Sequence, residues 1–179
     1  MRSRSNFRRR RNSNRLRGWD YTSPGAYFVT ICTHHRELLF DEQQFHLIAN
    51  NAWQAIPQHD HAQHVRLDES VVMPDHLHGI LILTSRPQQR KSKKRNKSSL
   101  QPGSVGAIVG NFKSSVTKQI NSWRGTPGSK VWLRGYHDRI IRDEKELNAI
   151  RQYIRNNPIR WAEKRDNLDV LLAKMRWVR

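Results

Sequence analysis

The centre of the sequence contains two strand-like segments on either side of Pro74 and Asp75. Residues 65–73 and 77–83 are short and rich in apolar and β-branched side chains, which favours strands over helices. So short a connection permits only an antiparallel hairpin. An isolated hairpin is marginally stable in water, so other strands and helices must cover it. The sequence therefore predicts a hairpin inside a larger antiparallel sheet.

The segments on either side of the hairpin alternate between strand and helix patterns. Asp41 and Asp143 are suitable helix caps, and Pro57 and Pro158 are expected to end the helices that follow them. In chain order we predict a strand at 26–33, a helix at 42–56, the hairpin, a helix at 104–123, a strand at 130–141, a helix from 143 to 157 and a final helix at 168–176. The order β-α-β-β-α-β-α with an extra C-terminal helix predicts an α+β, ferredoxin-like fold, with helices packed on one face of an antiparallel sheet.

The net charge of +18, from 33 Lys and Arg against 15 Asp and Glu, exceeds what solubility requires. Such an excess indicates a polyanionic partner, most often nucleic acid. On charge alone, a generically basic ribosomal or membrane-surface protein remains an alternative. We find no signal-peptide pattern, and the longest apolar run, residues 79–83, falls well short of the roughly 20 residues that cross a bilayer. We therefore predict a cytoplasmic, nucleoid-associated protein without a membrane partner.

The basic residues are concentrated in two segments of low complexity. We predict a disordered arm at 1–17, followed by a single domain at 18–179 that carries a basic insertion at about 86–101. The alternative is a solvated tail and loop without a partner. The candidate DNA contacts are Arg8, Arg9, Arg10, Arg11, Arg15, Arg17, Arg90, Lys91, Lys93, Lys94 and Arg95, together with Lys113 and Lys118 on the predicted helix after the insertion.

His76 and His78 flank Leu77 on the second strand of the hairpin. Side chains at i and i+2 of a strand share a face, so the two imidazoles are expected to project together from an open face of the sheet. Two convergent imidazoles can form half of a metal site. Gly79 would let a ligand approach closely. Asp75 is expected to point away from the histidines, and two surface histidines placed by chance remain the alternative.

Tyr153 and Asn157 are four residues apart near the end of the predicted helix at 143–157. They therefore lie on one helical face, with Cβ atoms about 5–6 Å apart. A phenol and an amide carbonyl on one face can supply a nucleophile and an oxygen ligand to the same site. The alternative is a tyrosine packed on the core and an asparagine that only ends the helix.

These motifs together resemble those of the REP-associated tyrosine transposases, a branch of the single-tyrosine HUH (IS200-like) transposases. The resemblance covers about residues 15–162 and includes the histidine–hydrophobe–histidine strand. It rests on GWDY at 18–21, PGAYFVT at 24–30, MPDHLHGI at 73–80, IVGNFKS at 108–114, Trp132, Tyr136, IIR at 140–142, and the segment from Tyr153 to Pro158.

The resemblance implies Tyr153 as the catalytic nucleophile, with Mg²⁺ or Mn²⁺ held by His76, His78 and Asn157. It implies an enzyme that cleaves and rejoins single-stranded DNA at hairpin-forming, REP-like sequences through a 5′-phosphotyrosine, with a monomer slightly favoured over a homodimer. Imidazole ligands by themselves could also favour zinc. The alternative is a non-catalytic nucleic-acid-binding protein of the same fold with a vestigial metal site.

Overall fold

The computed structural model describes residues 16, 18–85 and 100–163. The predicted arm, most of the predicted insertion and the predicted helix at 168–176 lie outside these residues. The elements are β1 (Gly25–Cys32), α1 (Gln43–Gln54), β2 (Val65–Met73), β3 (His76–Leu83), α2 (Val105–Trp123), β4 (His137–Ile141) and α3 (Glu144–Glu163). None of these helices combines the length and apolar content that a membrane span requires.

The four strands form one antiparallel sheet in the order β2-β3-β1-β4. Strand β1 pairs with β3 of the hairpin. In this register Thr30 lies opposite His78, and Cys32 lies opposite His76. On its other side, β1 pairs Thr30 with His137 of β4. The α+β, ferredoxin-like prediction is therefore confirmed, and the register places Thr30 beside the histidine strand.

Helices cover both faces of this sheet rather than the single face that we predicted. The face with Val29 and Leu77 packs against α1 and α2 through residues such as Trp53 and Phe112. The opposite face packs against α3, and its buried apolar residues are Phe28, Ile80, Ile141, Leu147, Ile150 and Ile154. Full burial of one such side chain stabilises the fold by about 1.5–3 kcal/mol, and the burial of all six together holds α3 on the sheet.

Gly79 lies on the α1 and α2 side of β3, directly beneath Trp53. A Cβ atom at Gly79 would come within 2.2 Å of the Trp53 Cζ2 atom. The side chain of Trp53 is fully buried and has no room to move away. The glycine therefore admits the indole ring on the face opposite the histidines, and our prediction that it admits a ligand was wrong.

The substitution Gly79→Ala is expected to destabilise the fold by at least about 1–3 kcal/mol, because over-packing of a dense core forces its neighbours out of position. Gly110→Ala is the matched control, since its Cβ would meet only Leu100 Cδ1 at 3.6 Å. Because Gly110 lies inside α2, the control is expected to stabilise by about 0.5–1 kcal/mol. Urea unfolding of both variants measures the difference, and equal midpoints would contradict the packing argument.

The last strand is shorter than predicted, because residues 130–136 form a loop with one isolated bridge between Thr33 and Trp132. Gly135 adopts a φ of 86°, which ends regular strand geometry. The Lys113 ammonium donates hydrogen bonds to the carbonyls of Leu133 at 2.7 Å and Gly135 at 2.8 Å. A side chain from α2 therefore satisfies backbone groups that a sheet ladder would otherwise pair.

Helix α3 continues beyond the position at which we expected it to end. Asp143 caps it as predicted, since its Oδ1 accepts a hydrogen bond from the Glu146 backbone N–H at 2.7 Å. Pro158 lies inside the helix, which runs on to Glu163. A proline at this point removes one backbone hydrogen bond. The extra turns bring Trp161 over His76, with ring centroids 6.0 Å apart, so packing on the sheet outweighs the proline cost.

Candidate active site

His76 and His78 share the face of the sheet that α3 covers, as the strand alternation predicted. Their exposed fractions are 0% and 1%. The expectation of an open face was therefore wrong, and the reason is that the C-terminal half of α3 lies across β3. The two imidazoles are buried beneath Tyr153 and Trp161 of this helix, and the His78 ring also stacks on Phe28 of the apolar cluster.

His76 is oriented by a carboxylate. Its Nδ1 lies 2.5 Å from Asp75 Oδ1, and Arg36 Nε lies 2.8 Å from Asp75 Oδ2. The contact with Asp75 fixes the orientation of the His76 ring, so that its Nε2 faces His78. Asp75 therefore points toward the site, contrary to our prediction, because it belongs to the turn before β3 and does not follow strand alternation. Arg36 was also missed, since only the folded loop brings it here.

His78 is oriented from its other side by β1. Its Nδ1 lies 2.8 Å from the Thr30 hydroxyl, which can donate or accept and so permits either imidazole tautomer. Its Nε2 lies 2.9 Å from His76 Nε2. Burial lowers the pKa of His78 well below its usual value, and the neighbouring His76 and Arg36 lower it further. His78 is therefore a neutral imidazole at physiological pH, which is the form that ligates metals.

Tyr153 projects from α3 toward the histidines. Its hydroxyl lies 3.2 Å from His78 Nε2, and its ring packs edge-on against Phe28 with centroids 6.2 Å apart. The guanidinium carbon of Arg160 lies 5.9 Å from the centre of the Tyr153 ring. Tyr136, in contrast, packs with the core cluster on the opposite face of the sheet. The structure therefore joins Tyr153, and not Tyr136, to the histidine pair.

Asn157 lies one helical turn after Tyr153 and one turn before Trp161, on the face of α3 that covers the two imidazoles. It is 0% exposed, and neither Oδ1 nor Nδ2 of its amide has a hydrogen-bond partner among the described residues. A buried polar group without a partner costs about 1–3 kcal/mol. The amide oxygen of Asn157 is therefore available to bind a ligand beside the two imidazoles.

The donors at this site suit a divalent cation. Adjacent ligands on an octahedral cation with bonds of about 2.1 Å are roughly 3 Å apart, close to the 2.9 Å between the two Nε2 atoms. No group of three His, Cys, Asp or Glu side chains converges among the described residues. Asn157, which we predicted as the third ligand, is outside those residue types and presents a buried amide without a partner on the same face.

Of the predicted DNA contacts, the structure describes only Lys113 and Lys118, both on α2 and on the opposite face of the sheet from Tyr153. Burial lowers the pKa of Lys113, whose ammonium also serves the loop after α2. Lys118 is exposed. The other candidates, from Arg8 to Arg17 and from Arg90 to Arg95, lie outside the described residues.

The fold is similar to that of a solved transposase. A REP-associated tyrosine transposase, solved with a bound REP hairpin, superposes with a TM-score of 0.53 at 18% identity, over 83% of this chain and 74% of that chain. A transposase candidate from Deinococcus radiodurans matches with a TM-score of 0.43 at 18% identity, over 80% of this chain and 97% of that chain. The second match is too weak to support a conclusion about the fold.

The chain belongs to the same protein family as an uncharacterized protein of Haemophilus influenzae. The two are 37% identical over 171 residues, which cover 86% of this chain and 91% of that protein. No protein-family model matches the chain. The sequence relative thus defines the family, and the structural neighbour defines the fold.

Proposed function

We propose that this chain is a DNA transposase-like nuclease that cuts and rejoins single-stranded DNA beside hairpin-forming sequences, with Tyr153 as the nucleophile. The observation that carries the proposal is the Tyr153 hydroxyl at 3.2 Å from one of two buried, convergent imidazoles. The REP-associated transposase that shares the fold was solved with a hairpin, which favours hairpin DNA as the partner here as well.

The proposed reaction exchanges one phosphodiester for another. The Tyr153 oxygen forms a bond to phosphorus, and the bond from phosphorus to the 3′ oxygen breaks. The departing oxygen takes a proton and becomes a 3′-OH, while the 5′-phosphate remains on the tyrosine. Because no bond energy is lost to water, attack by a 3′-OH on the phosphotyrosine reverses the step and rejoins DNA without ATP.

His76, His78 and Asn157 would hold the divalent cation, with Mg²⁺ or Mn²⁺ favoured by the family resemblance. When bound, the cation supplies charge that stabilises the phosphate oxygens and orients the scissile bond. The lone pair of His78 Nε2 can serve only one partner, so ligation by His78 frees the Tyr153 hydroxyl to face the phosphodiester. The guanidinium of Arg160 lies over the phenol ring and places a positive charge beside the attacking group.

The experiment that tests the proposal is capture of a covalent adduct. Purified full-length protein is mixed with Mn²⁺ or Mg²⁺ and a hairpin oligonucleotide carrying a single-stranded flank labelled at its 3′ end. We expect an SDS-resistant, labelled protein band whose phosphotyrosine maps to Tyr153. A chain that binds the oligonucleotide tightly but never forms the adduct would be the non-catalytic nucleic-acid-binding protein instead.

The substitution Asp75→Asn is expected to weaken divalent-cation binding by about 10–100-fold, because the carboxylate holds the His76 ring and its tautomer. Isothermal titration with Mn²⁺ measures this loss directly, without reference to cleavage. Asp68→Asn is the matched control, since Asp68 is also paired with an arginine, Arg151, at 2.7 Å but lies outside the site. Equal Mn²⁺ affinities in the two variants would show that Asp75 does not contribute to cation binding.

A further inference from the structure

An open groove with a volume of about 1310 Å³ lies between the second half of α2 and the loop that leads to β4. Its lining includes Lys118, Lys130 and Arg134, all exposed, and contains no Asp or Glu. We propose that this groove binds the sugar-phosphate backbone of a double-helical DNA segment. The proposal rests on the proposed function and assigns the groove to the paired DNA that flanks the strand to be cut.

The cations of the groove differ from the arginines that are paired with carboxylates elsewhere in the described residues. On the β2 side of α3, Arg151 is paired with Asp68 and Arg155 with Glu69. Arg139 and Arg36 are likewise paired, with Glu146 and Asp75. Lys118, Lys130 and Arg134 form no ion pair with a described residue. Their charge is therefore available to an external anion, whereas the paired arginines are already neutralised.

The polar groups of the groove suit phosphate oxygens. Hydroxyls of Ser114, Thr117 and Ser129 line the groove beside the three cations. Ser, Thr, Lys and Arg side chains make most of the contacts that proteins form with DNA phosphates. The position of the loop is fixed, because Lys113 holds the carbonyls of Leu133 and Gly135. The groove is thus shaped before the ligand arrives.

The ring side chains that line the groove, Trp132 and His34, favour binding of paired over unpaired DNA. Single-stranded DNA is usually held by bases stacked on exposed aromatic faces. Trp132 is only 8% exposed, and its indole N–H donates to the Lys113 carbonyl at 3.1 Å. The ring of His34 lies against that of His35, with centroids 3.9 Å apart. A groove with free cations and hydroxyls but without an open stacking surface fits the outside of a duplex.

The groove also lies at a suitable place relative to Tyr153. The loop that lines the groove runs beside the end of β1, where the Leu133 N–H donates a hydrogen bond to the Cys32 carbonyl at 2.9 Å. Cys32 pairs with His76 in the sheet, so the groove and the histidines occupy the same end of the sheet on opposite faces. A duplex in the groove could therefore pass its unpaired flank around the sheet end to Tyr153.

The test compares two triple-alanine variants with the same change in charge. The groove variant replaces Lys118, Lys130 and Arg134. The control replaces Arg66, Arg142 and Lys145, which are also exposed and unpaired but lie at the other end of the sheet. Binding of full-length protein to a blunt hairpin and to an unstructured single strand is measured across a salt series in EDTA. Adduct formation is then measured at saturating flanked hairpin with Mn²⁺.

We expect the groove variant to reduce the slope of log K against log salt on the hairpin by about 0.9 per lost phosphate contact, or about 2.7 for three. The control is expected to keep both the wild-type slope and the wild-type rate of adduct formation at saturation. Equal slopes in the two variants, or a larger loss on the single strand, would overturn the proposal. If the wild type forms no adduct, the proposed function is wrong. The binding comparison still shows whether the groove binds double-helical DNA.

Discussion

Tyr153→Phe is expected to lower covalent adduct formation and cleavage by more than about 1,000-fold while leaving DNA affinity close to that of the wild type. The substitution removes the oxygen that we propose attacks phosphorus but keeps the ring that packs edge-on against Phe28. The lost hydrogen bond to His78 costs about 0.5–1.5 kcal/mol, which a fold of this size tolerates. A quench-flow or gel assay with the labelled flanked hairpin measures the rate.

Tyr136→Phe is the matched control, because Tyr136 packs with the core on the opposite face of the sheet. It is expected to cleave at the wild-type rate. Wild-type adduct formation by Tyr153→Phe, or loss of the adduct in Tyr136→Phe alone, would show that the nucleophile has been misassigned.

His76→Ala and His78→Ala are each expected to lower cleavage in Mg²⁺ or Mn²⁺ by more than about 100-fold and to abolish tight Mn²⁺ binding. Both substitutions also carry a stability cost of roughly 1–3 kcal/mol, since the side chains are buried and hydrogen-bonded. The loss of His76 in addition leaves Asp75 with fewer partners. Activity is therefore compared at a temperature where circular dichroism shows each variant to be fully folded.

The control for this stability cost is His64→Ala. His64 is 6% exposed and its Nε2 lies 2.9 Å from the Gly103 carbonyl, so it is another buried, hydrogen-bonded imidazole, but it lies outside the site. We expect a comparable fall in unfolding midpoint with cleavage and Mn²⁺ binding retained. Full metal-dependent cleavage by either His76→Ala or His78→Ala would contradict their assignment as ligands.

Local patterns in the sequence located most of the elements that build the site. The two-residue connection at Pro74 and Asp75 specified the hairpin, and the i, i+2 spacing specified that His76 and His78 share a face. The i, i+4 spacing specified that Tyr153 and Asn157 share a face of α3. These predictions depend only on strand and helix periods, which adjacent residues determine.

Local patterns failed where contacts between distant segments decided the structure. The termination of α3 at Pro158 was wrong because the packing of Trp161 against His76 of β3 outweighs one missing backbone hydrogen bond. The full strand predicted at 130–141 was wrong because Lys113, on another element, satisfies the loop carbonyls. The assignment of Gly79 to ligand access was wrong because the indole of Trp53 occupies that space.

The sequence by itself determined the order of the elements, the shared faces of the histidine and tyrosine motifs, and the excess of positive charge, since each follows from neighbouring residues or from composition. The tertiary structure alone decided that α3 crosses the sheet face opposite α1 and α2 and buries the histidines. It also decided that Thr30 orients the His78 ring and that Asp75, which is paired with Arg36, orients the His76 ring. The reason is that strand register and helix docking are fixed by burial summed over the whole core, which no single segment of the chain contains.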